Sequence, residues 1–118
     1  MKPKPSMVVL RSLLFVFDIE NTKSEAREEI ITSKNVNDDC ELAELFDLLL
    51  RSDFLKYRPD ERQWFVDTIL YFLDLGDNFD EVFTRIDTYF DSEVEDQRRF
   101  MKVLLERLRF YQSGNNGA

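Results

Sequence analysis

Hydrophobic positions recur at helical spacing along most of the chain, and the widest apolar stretch spans residues 60–75. Projected at about 100° per residue, its apolar side chains cover more than half of the circumference, while Asp60, Gln63, Asp67 and Asp74 share one narrow polar stripe that is mainly acidic. Pro59 precedes this stretch and Gly76 follows it, and these residue types are typical of a helix start and a helix end. The pattern predicts a helix at the buried centre of a bundle.

Two large aromatic residues, Trp64 and Tyr71, border the acidic stripe of this central helix. In one interpretation, another segment of the same chain covers them. In the other, they belong to a surface that a protein partner covers, since amphipathic aromatic side chains are common anchors of interfaces.

Shorter apolar repeats predict further helices before the central one. The run over residues 6–19 has leucine and phenylalanine at i, i+3, i+4 and i+7, which favours a helix, although its β-branched residues leave a strand open. The predicted segments are, in order, a helix over 6–19, a short helix that follows a capping box of Thr22 and Glu25 and ends near Ser33, a connection over 34–39, an amphipathic helix over 41–51 and a bend over 52–58.

Two more helices are expected after Gly76. Asp77 or Asn78 caps the first, whose buried stripe runs over residues 79–90. On a helix, its acidic residues Asp80, Asp87 and Asp91 lie within about 40° of one another, on a different side from that stripe.

The last helix is predicted to follow a second capping box, formed by Ser92 and Glu95, and to end near Gln112. The whole pattern predicts an all-α fold over residues 1–118, a single domain built as a compact bundle of five to six helices. Residues 1–5 and 113–118 are expected to be disordered.

Composition removes most classes of chemistry. The chain has no histidine, so it has neither a Ser-His or Cys-His nucleophile pair nor an imidazole metal ligand. Three glycines, at 76, 114 and 117, cannot build a phosphate-binding loop, and Cys40 is expected to be a small buried apolar residue. Asp87 and Asp91, one helical turn apart, are interpreted as a solvated face rather than as magnesium ligands. We expect no enzyme activity, no metal and no cofactor.

The acidity of the chain indicates its kind of partner. It has 24 acidic and 16 basic residues, a formal charge of -8, which repels nucleic acid and attracts a basic protein. No apolar run reaches the roughly 20 residues of a membrane-spanning helix, and the apolar segment 7–17 is not followed by a signal-peptide cleavage site. We therefore expect a soluble cytoplasmic protein that acts at neither a membrane nor a nucleic acid.

Charge is distributed unevenly near the end of the chain. Residues 77–96 contain eight acids and one base, Arg85, whereas residues 97–109 contain five bases and one acid. Either antiparallel neighbouring helices pair these charges, or the acidic helix stays free as a docking face. The candidate partner-binding residues are Asp77, Asp80, Glu81, Asp87, Tyr89, Asp91, Glu44 and Asp47.

The segment that starts at Phe79, FDEVFTRIDTYFDSEVED, combines an acidic, aromatic-rich helix with the start of a charged final helix. In this overall character it resembles small acidic helical immunity proteins, which protect bacteria from contact-dependent growth inhibition toxins and colicins. The resemblance covers roughly the last third of the chain. It implies a monomeric cytoplasmic inhibitor that binds a cognate basic toxin, often a nuclease, and blocks its active site.

Two other functions are compatible with the same residues. A helical adaptor or regulator would self-associate through Val103 and Phe110, which fall about 20° apart on the last helix. A phage-type inhibitor that mimics DNA would present the same acidic face to an enzyme of nucleic acid.

Overall fold

The computed structural model of the chain describes residues 4–18, 25–86, 88, 90 and 93–113. Among these residues the ordered backbone is helical, apart from one isolated antiparallel bridge between Asp18 and Thr88. The helices are α1 (Met7–Leu14), α2 (Glu25–Thr32), α3 (Asp39–Leu45), α4 (Arg51–Lys56), α5 (Pro59–Asp74), α6 (Asp80–Phe83) and α7 (Gln97–Gln112). With α3 and α4 counted as one rod, the described residues form six helices, and the predicted all-α bundle is confirmed.

The first apolar run forms a helix rather than a strand. The Ser6 hydroxyl accepts a hydrogen bond from the Val8 amide at 3.2 Å and so caps α1. Four residues of α1 are buried, and a 3₁₀ turn over Phe15–Phe17 follows the helix. The buried residues are Met7, Leu10, Leu13 and Leu14. Because these positions repeat at three and four residues, helical spacing outweighed the β-branched composition.

α3 and α4 form one continuous rod. Asp38 caps it by accepting hydrogen bonds from the amides of Cys40 and Glu41, and a wider turn over Phe46–Leu50 joins the two helices. The predicted bend over 52–58 is too long, because helical backbone continues to Lys56. The chain leaves the helix only at Tyr57 and Arg58, where Pro59 excludes helical backbone before it.

The predicted central helix is α5, which packs against α1 on one side and α7 on another. Its start is capped by Glu61, whose carboxylate accepts a hydrogen bond from the Arg58 amide at 2.9 Å. The indole of Trp64 donates a hydrogen bond to the Lys4 carbonyl at 2.8 Å, so the chain itself covers this aromatic side chain. Tyr71 stays exposed.

α7 completes the core by burying one face along its whole length. The buried residues are Phe100, Met101, Leu104, Leu105, Leu108 and Tyr111. Near its start, the rings of Phe46 and Phe83 meet Phe100 edge-on, with centroids 5.4 and 5.1 Å from it. Near its end, the ring centroids of Tyr111 and Phe54 lie 6.1 Å apart, and the two rings are tilted. Ring contacts of these kinds add to the free energy gained by burying the rings.

The predicted helix over residues 79–90 is wrong, since α6 has only four residues. The Thr84 hydroxyl donates a hydrogen bond to the Asp80 carbonyl at 2.8 Å and competes with continuation of the helix. A little further on, Thr88 pairs with Asp18 in the isolated bridge, which requires extended backbone. Asp80, Asp87 and Asp91 therefore do not share one helical face, and the last two lie outside the described residues.

The predicted start of the last helix is also wrong. Asp96 caps α7 by accepting a hydrogen bond from the Arg99 amide at 3.0 Å. The helix therefore begins at Gln97. The Asn37 side chain donates to the Glu93 carbonyl and accepts from the Glu95 amide, both at 2.9 Å. These two hydrogen bonds tie the segment before α7 to the connection over 34–39. Ser92, the predicted cap, lies outside the described residues.

Cys40 is exposed, which corrects the prediction that it is buried. On α3 it lies two residues before Leu42, which is buried, and two residues on a helix correspond to about 200°. Leu42 therefore faces the core, and Cys40 lies on the solvent side of the helix.

We expect the Cys40 thiol to react with Ellman's reagent in the folded protein nearly as fast as in denaturant, because no side chain has to move to admit the reagent. The measurement is the absorbance of the released thiolate against time. The C40S variant controls for background reaction. A native rate that rises strongly only on unfolding would contradict the exposed position.

Candidate functional site: an acidic corner

The structure separates the eight predicted site residues. Asp77, Asp80 and Glu81 lie at the corner between α5 and α6, whereas Glu44 and Asp47 lie on the α3–α4 rod. Arg98 of α7 contacts the corner and Arg107 of α7 contacts Asp47. Nine residues on a helix correspond to half a turn in direction and about 14 Å along the axis, so α7 stands between the two groups. Asp87, Tyr89 and Asp91 lie outside the described residues.

The carboxylates on the rod are paired with cations of the same chain. Arg107 binds Asp47 through two parallel hydrogen bonds, each of 3.0 Å, and the Tyr111 hydroxyl donates a third. Lys34 lies 3.7 Å from Glu44. Asp47 is therefore not a free carboxylate, because bidentate arginine pairing already satisfies it. A partner-binding role of Glu44 and Asp47 stays a prediction.

A second arginine follows the same arrangement. Arg99 binds Asp39 at 2.6 Å, eight residues before the Arg107–Asp47 pair on both helices, so α3 and α7 run in the same direction. The sequence interpretation paired α7 with an antiparallel acidic neighbour over residues 77–96. The described residues show a different pairing, because the carboxylates that bind Arg99 and Arg107 lie on the rod, which runs parallel to α7.

The pKa values of two groups in this cluster lie above their ordinary values. Burial raises the pKa of Tyr111, and the hydrogen bond and negative charge of Asp47 raise it further. Burial lowers the pKa of Arg107, but its hydrogen bonds to Asp47 and Tyr111 and the charge of Asp47 outweigh burial, so the pKa lies above its ordinary value. The Tyr111 hydroxyl therefore keeps its proton at neutral pH and donates it to the hydrogen bond with Asp47.

Four carboxylates near the junction of α5 and α6 lack a cationic partner among the described residues. We call Asp74, Asp77, Asp80 and Glu81 the acidic corner. Within the described part of the chain, none of the four forms a salt bridge with lysine or arginine. Asp77 is half-buried and the other three are exposed.

Neutral amides hold the carboxylates of the acidic corner in place. Asn78 donates from Nδ2 to Asp80 Oδ2 at 3.1 Å. Gln97, with its amide nitrogen turned toward the corner as the hydrogen bonds require, donates to Asp80 Oδ1 at 2.8 Å. The Phe79 amide donates to Asp77 Oδ1 at 2.7 Å. These donors orient two carboxylates without neutralising them.

The backbone of the acidic corner is held in unusual conformations. Gly76 has a φ of 76° and Phe79 a φ of 63°, and the latter is strained for a residue with a bulky side chain. Phe79 is fully buried, which offsets this strain. Arg98 donates to the carbonyls of Asp77 at 2.7 Å and Leu73 at 3.2 Å, so this arginine braces the main chain. It also places one positive charge beside the main chain of Asp77.

An exposed apolar step adjoins the acidic corner. Tyr71 is 47% exposed and Leu75 is 62% exposed, and they lie one helical turn apart with Asp74 beside them. The sequence interpretation singled out Tyr71 but missed Leu75 and Asp74 as parts of one surface. The available signal was the projection of Leu75, which falls about 40° from Tyr71.

The residues predicted for self-association do not form an apolar stripe. Val103 packs against the core, while Phe110 is 50% exposed. The guanidinium of Arg107 lies over the Phe110 ring, 4.6 Å from its centroid. The ring therefore borders the Arg107–Asp47 pair instead of continuing an apolar surface from Val103.

The described residues contain no group of three or more cysteine and acidic side chains placed to bind a metal ion. No helix in this part of the chain combines the length and the apolar character that crossing a bilayer requires.

Comparison with protein-family models gives no match, and neither does comparison with curated protein sequences or with solved structures. The site is therefore interpreted from its own geometry.

We expect the Y111F variant to lose less stability than wild type as pH rises above 10. The folded pKa of Tyr111 lies above its ordinary value of 10.0, so the unfolded chain releases this proton first and the free energy of unfolding falls. The contribution is at most about 1.4 kcal/mol per pH unit. Denaturant unfolding at pH 8, 10 and 11 measures it, and parallel pH profiles of the two proteins would contradict the assignment.

Proposed function

We propose that this chain is a non-enzymatic inhibitor of the immunity type, which binds a basic protein toxin through the acidic corner and blocks its active site. The observation that carries the proposal is the contrast between two sides of α7. Asp39, Glu44 and Asp47 on the α3–α4 rod are paired with arginine or lysine, whereas the four carboxylates of the acidic corner are not.

Unpaired carboxylates are suited to a basic partner for an electrostatic reason. A paired carboxylate gives little attraction at a distance, since its cation cancels its field within a few ångströms. The acidic corner adds a local negative potential to a molecule whose formal charge is -8, which raises the rate of encounter with a positively charged protein.

The rigidity of the acidic corner supports inhibition rather than loose attraction. Asp77 and Asp80 are oriented by backbone and side-chain amides, and Arg98 holds the loop between α5 and α6. Side chains that are already ordered lose little conformational entropy on binding, so more of the interaction energy remains as affinity. In a nuclease, fixed carboxylates would occupy positions that bind the phosphates of the substrate.

The choice of a toxin as partner comes from the resemblance of the segment after Phe79 to immunity proteins. Because that segment forms only the single turn of α6, the proposal rests on the acidic corner and not on a long acidic helix. The proposed partner surface keeps Asp77, Asp80 and Glu81 from the predicted residues. Asp74 is added to them.

The test compares wild type with D74K/E81K and with the matched variant E29K/E106K. Both variants change the charge by the same amount at exposed acids, and neither removes a described hydrogen bond. Immobilised wild type should capture a basic protein from lysate of the source cell at low salt and less of it at high salt. D74K/E81K should weaken this binding about tenfold or more, while E29K/E106K should bind nearly as wild type.

A second measurement establishes inhibition. Addition of one equivalent of wild type should abolish the enzymatic or toxic activity of the captured protein, and D74K/E81K should require a large excess. Circular dichroism and thermal unfolding verify that the variants are folded. Equal capture by both variants, or full activity of the saturated partner, would refute the proposal.

A further inference from the structure

The exposed step formed by Tyr71 and Leu75 lies directly before the acidic corner's loop in the chain. Both residues lie on the last turn of α5 or directly after it, and the Leu75 amide donates a hydrogen bond to the Tyr71 carbonyl at 3.1 Å. The Tyr71 ring meets Phe72 edge-on, with centroids 5.1 Å apart. Phe72 in turn meets the buried ring of Phe79 at 6.4 Å. Ring contacts thus connect the step to the strained loop of the acidic corner.

Apolar and acidic groups alternate on this surface. Asp74 lies between Tyr71 and Leu75 in sequence, and all three project from the same side of the helix. Asp77, Asp80 and Glu81 follow directly beyond the turn at Gly76. A surface of this kind matches a partner whose apolar and cationic side chains also alternate, since each apolar contact then excludes water around an adjacent ion pair.

We infer that the occupant of this surface is a protein segment that places an apolar side chain against Tyr71 and Leu75 and flanking lysines or arginines against the acidic corner. This inference rests on the proposed function and narrows its partner to an amphipathic basic segment. A polycation without apolar residues, or a second copy of this chain, is a different occupant.

The charge of the surface favours such a segment over a second copy. A symmetric dimer through Tyr71 and Leu75 brings the two copies of Asp74 together, and like charges at an interface oppose association. A basic segment instead gains an opposite charge at each acidic position. The strained backbone at Phe79 fits the same role, because strain of this kind concentrates at sites that bind ligands.

Two synthetic helical peptides of equal length and equal lysine content probe the inference. One carries leucine at positions i and i+4 between the lysines, and the other carries glutamine there. Titration into ¹⁵N-labelled protein should shift the amide signals of residues 71–81 with both peptides. The leucine peptide should bind about tenfold more tightly, as expected for burial of one or two apolar side chains.

Variants assign the difference to the step. Y71S/L75S should bind both peptides with the affinity of the glutamine peptide, and D74K/E81K should weaken both. The matched variant V8S/L48S removes two other exposed apolar side chains and should keep the tenfold preference. Thermal unfolding establishes that the serine variants are folded.

The outcomes separate the two proposals. Equal binding of both peptides to wild type, with D74K/E81K still weakened, would overturn the apolar anchor and leave the proposed function standing. Failure of both peptides to shift residues 71–81 at low salt would overturn both. Sedimentation that shows a dimer abolished by Y71S/L75S would make a second copy the occupant and overturn the inference.

Discussion

The cations of α7 decide which carboxylates of this protein remain available at its surface. Arg99 and Arg107 bind Asp39 and Asp47 on the α3–α4 rod, and Arg98 binds main-chain carbonyls instead of side chains. These guanidinium groups are already occupied, and among the described residues no lysine or arginine forms a salt bridge with the four carboxylates of the acidic corner. Arginine pairing on the side of α7 that faces the rod, and main-chain bracing on the side that faces the α5–α6 loop, thus create the asymmetry of charge on which the proposed function depends.

The acidic corner is also the place where local sequence preference and tertiary packing disagree. The residues after Gly76 have apolar spacing typical of a helix, but the helix that forms is one turn long. Burial of Phe79 holds a left-handed backbone that a phenylalanine disfavours by about 1–2 kcal/mol. The packing of one large ring, together with the hydrogen bond from its amide to Asp77, outweighs that preference. The same packing orders the loop that carries the exposed acids.

The large hydrophobic residues that stay exposed in the described chain differ in their charged neighbours, and they are Val8, Phe15, Leu48, Leu55, Tyr71, Leu75 and Phe110. Tyr71 and Leu75 adjoin unpaired carboxylates, whereas the exposed ring of Phe110 is covered by the guanidinium of Arg107. An exposed apolar group next to an unpaired charge offers a partner both an anchor and an attraction. An apolar group next to a neutralised ion pair offers mainly an anchor. The acidic corner is therefore a better candidate surface than the part of α7 around Phe110.

The sequence by itself determined the helical class, the position of α5 and the absence of histidine chemistry, since apolar periodicity and composition are local properties. Only the tertiary structure decided the length of α6, the exposure of Cys40 and the fate of each carboxylate. The pairing of Asp47 with Arg107 spans 60 residues and depends on how α3 and α7 align. A charge along the chain has no fixed neighbour until packing supplies one, so a count of acids predicted an acidic surface but could not tell which acids stay unpaired.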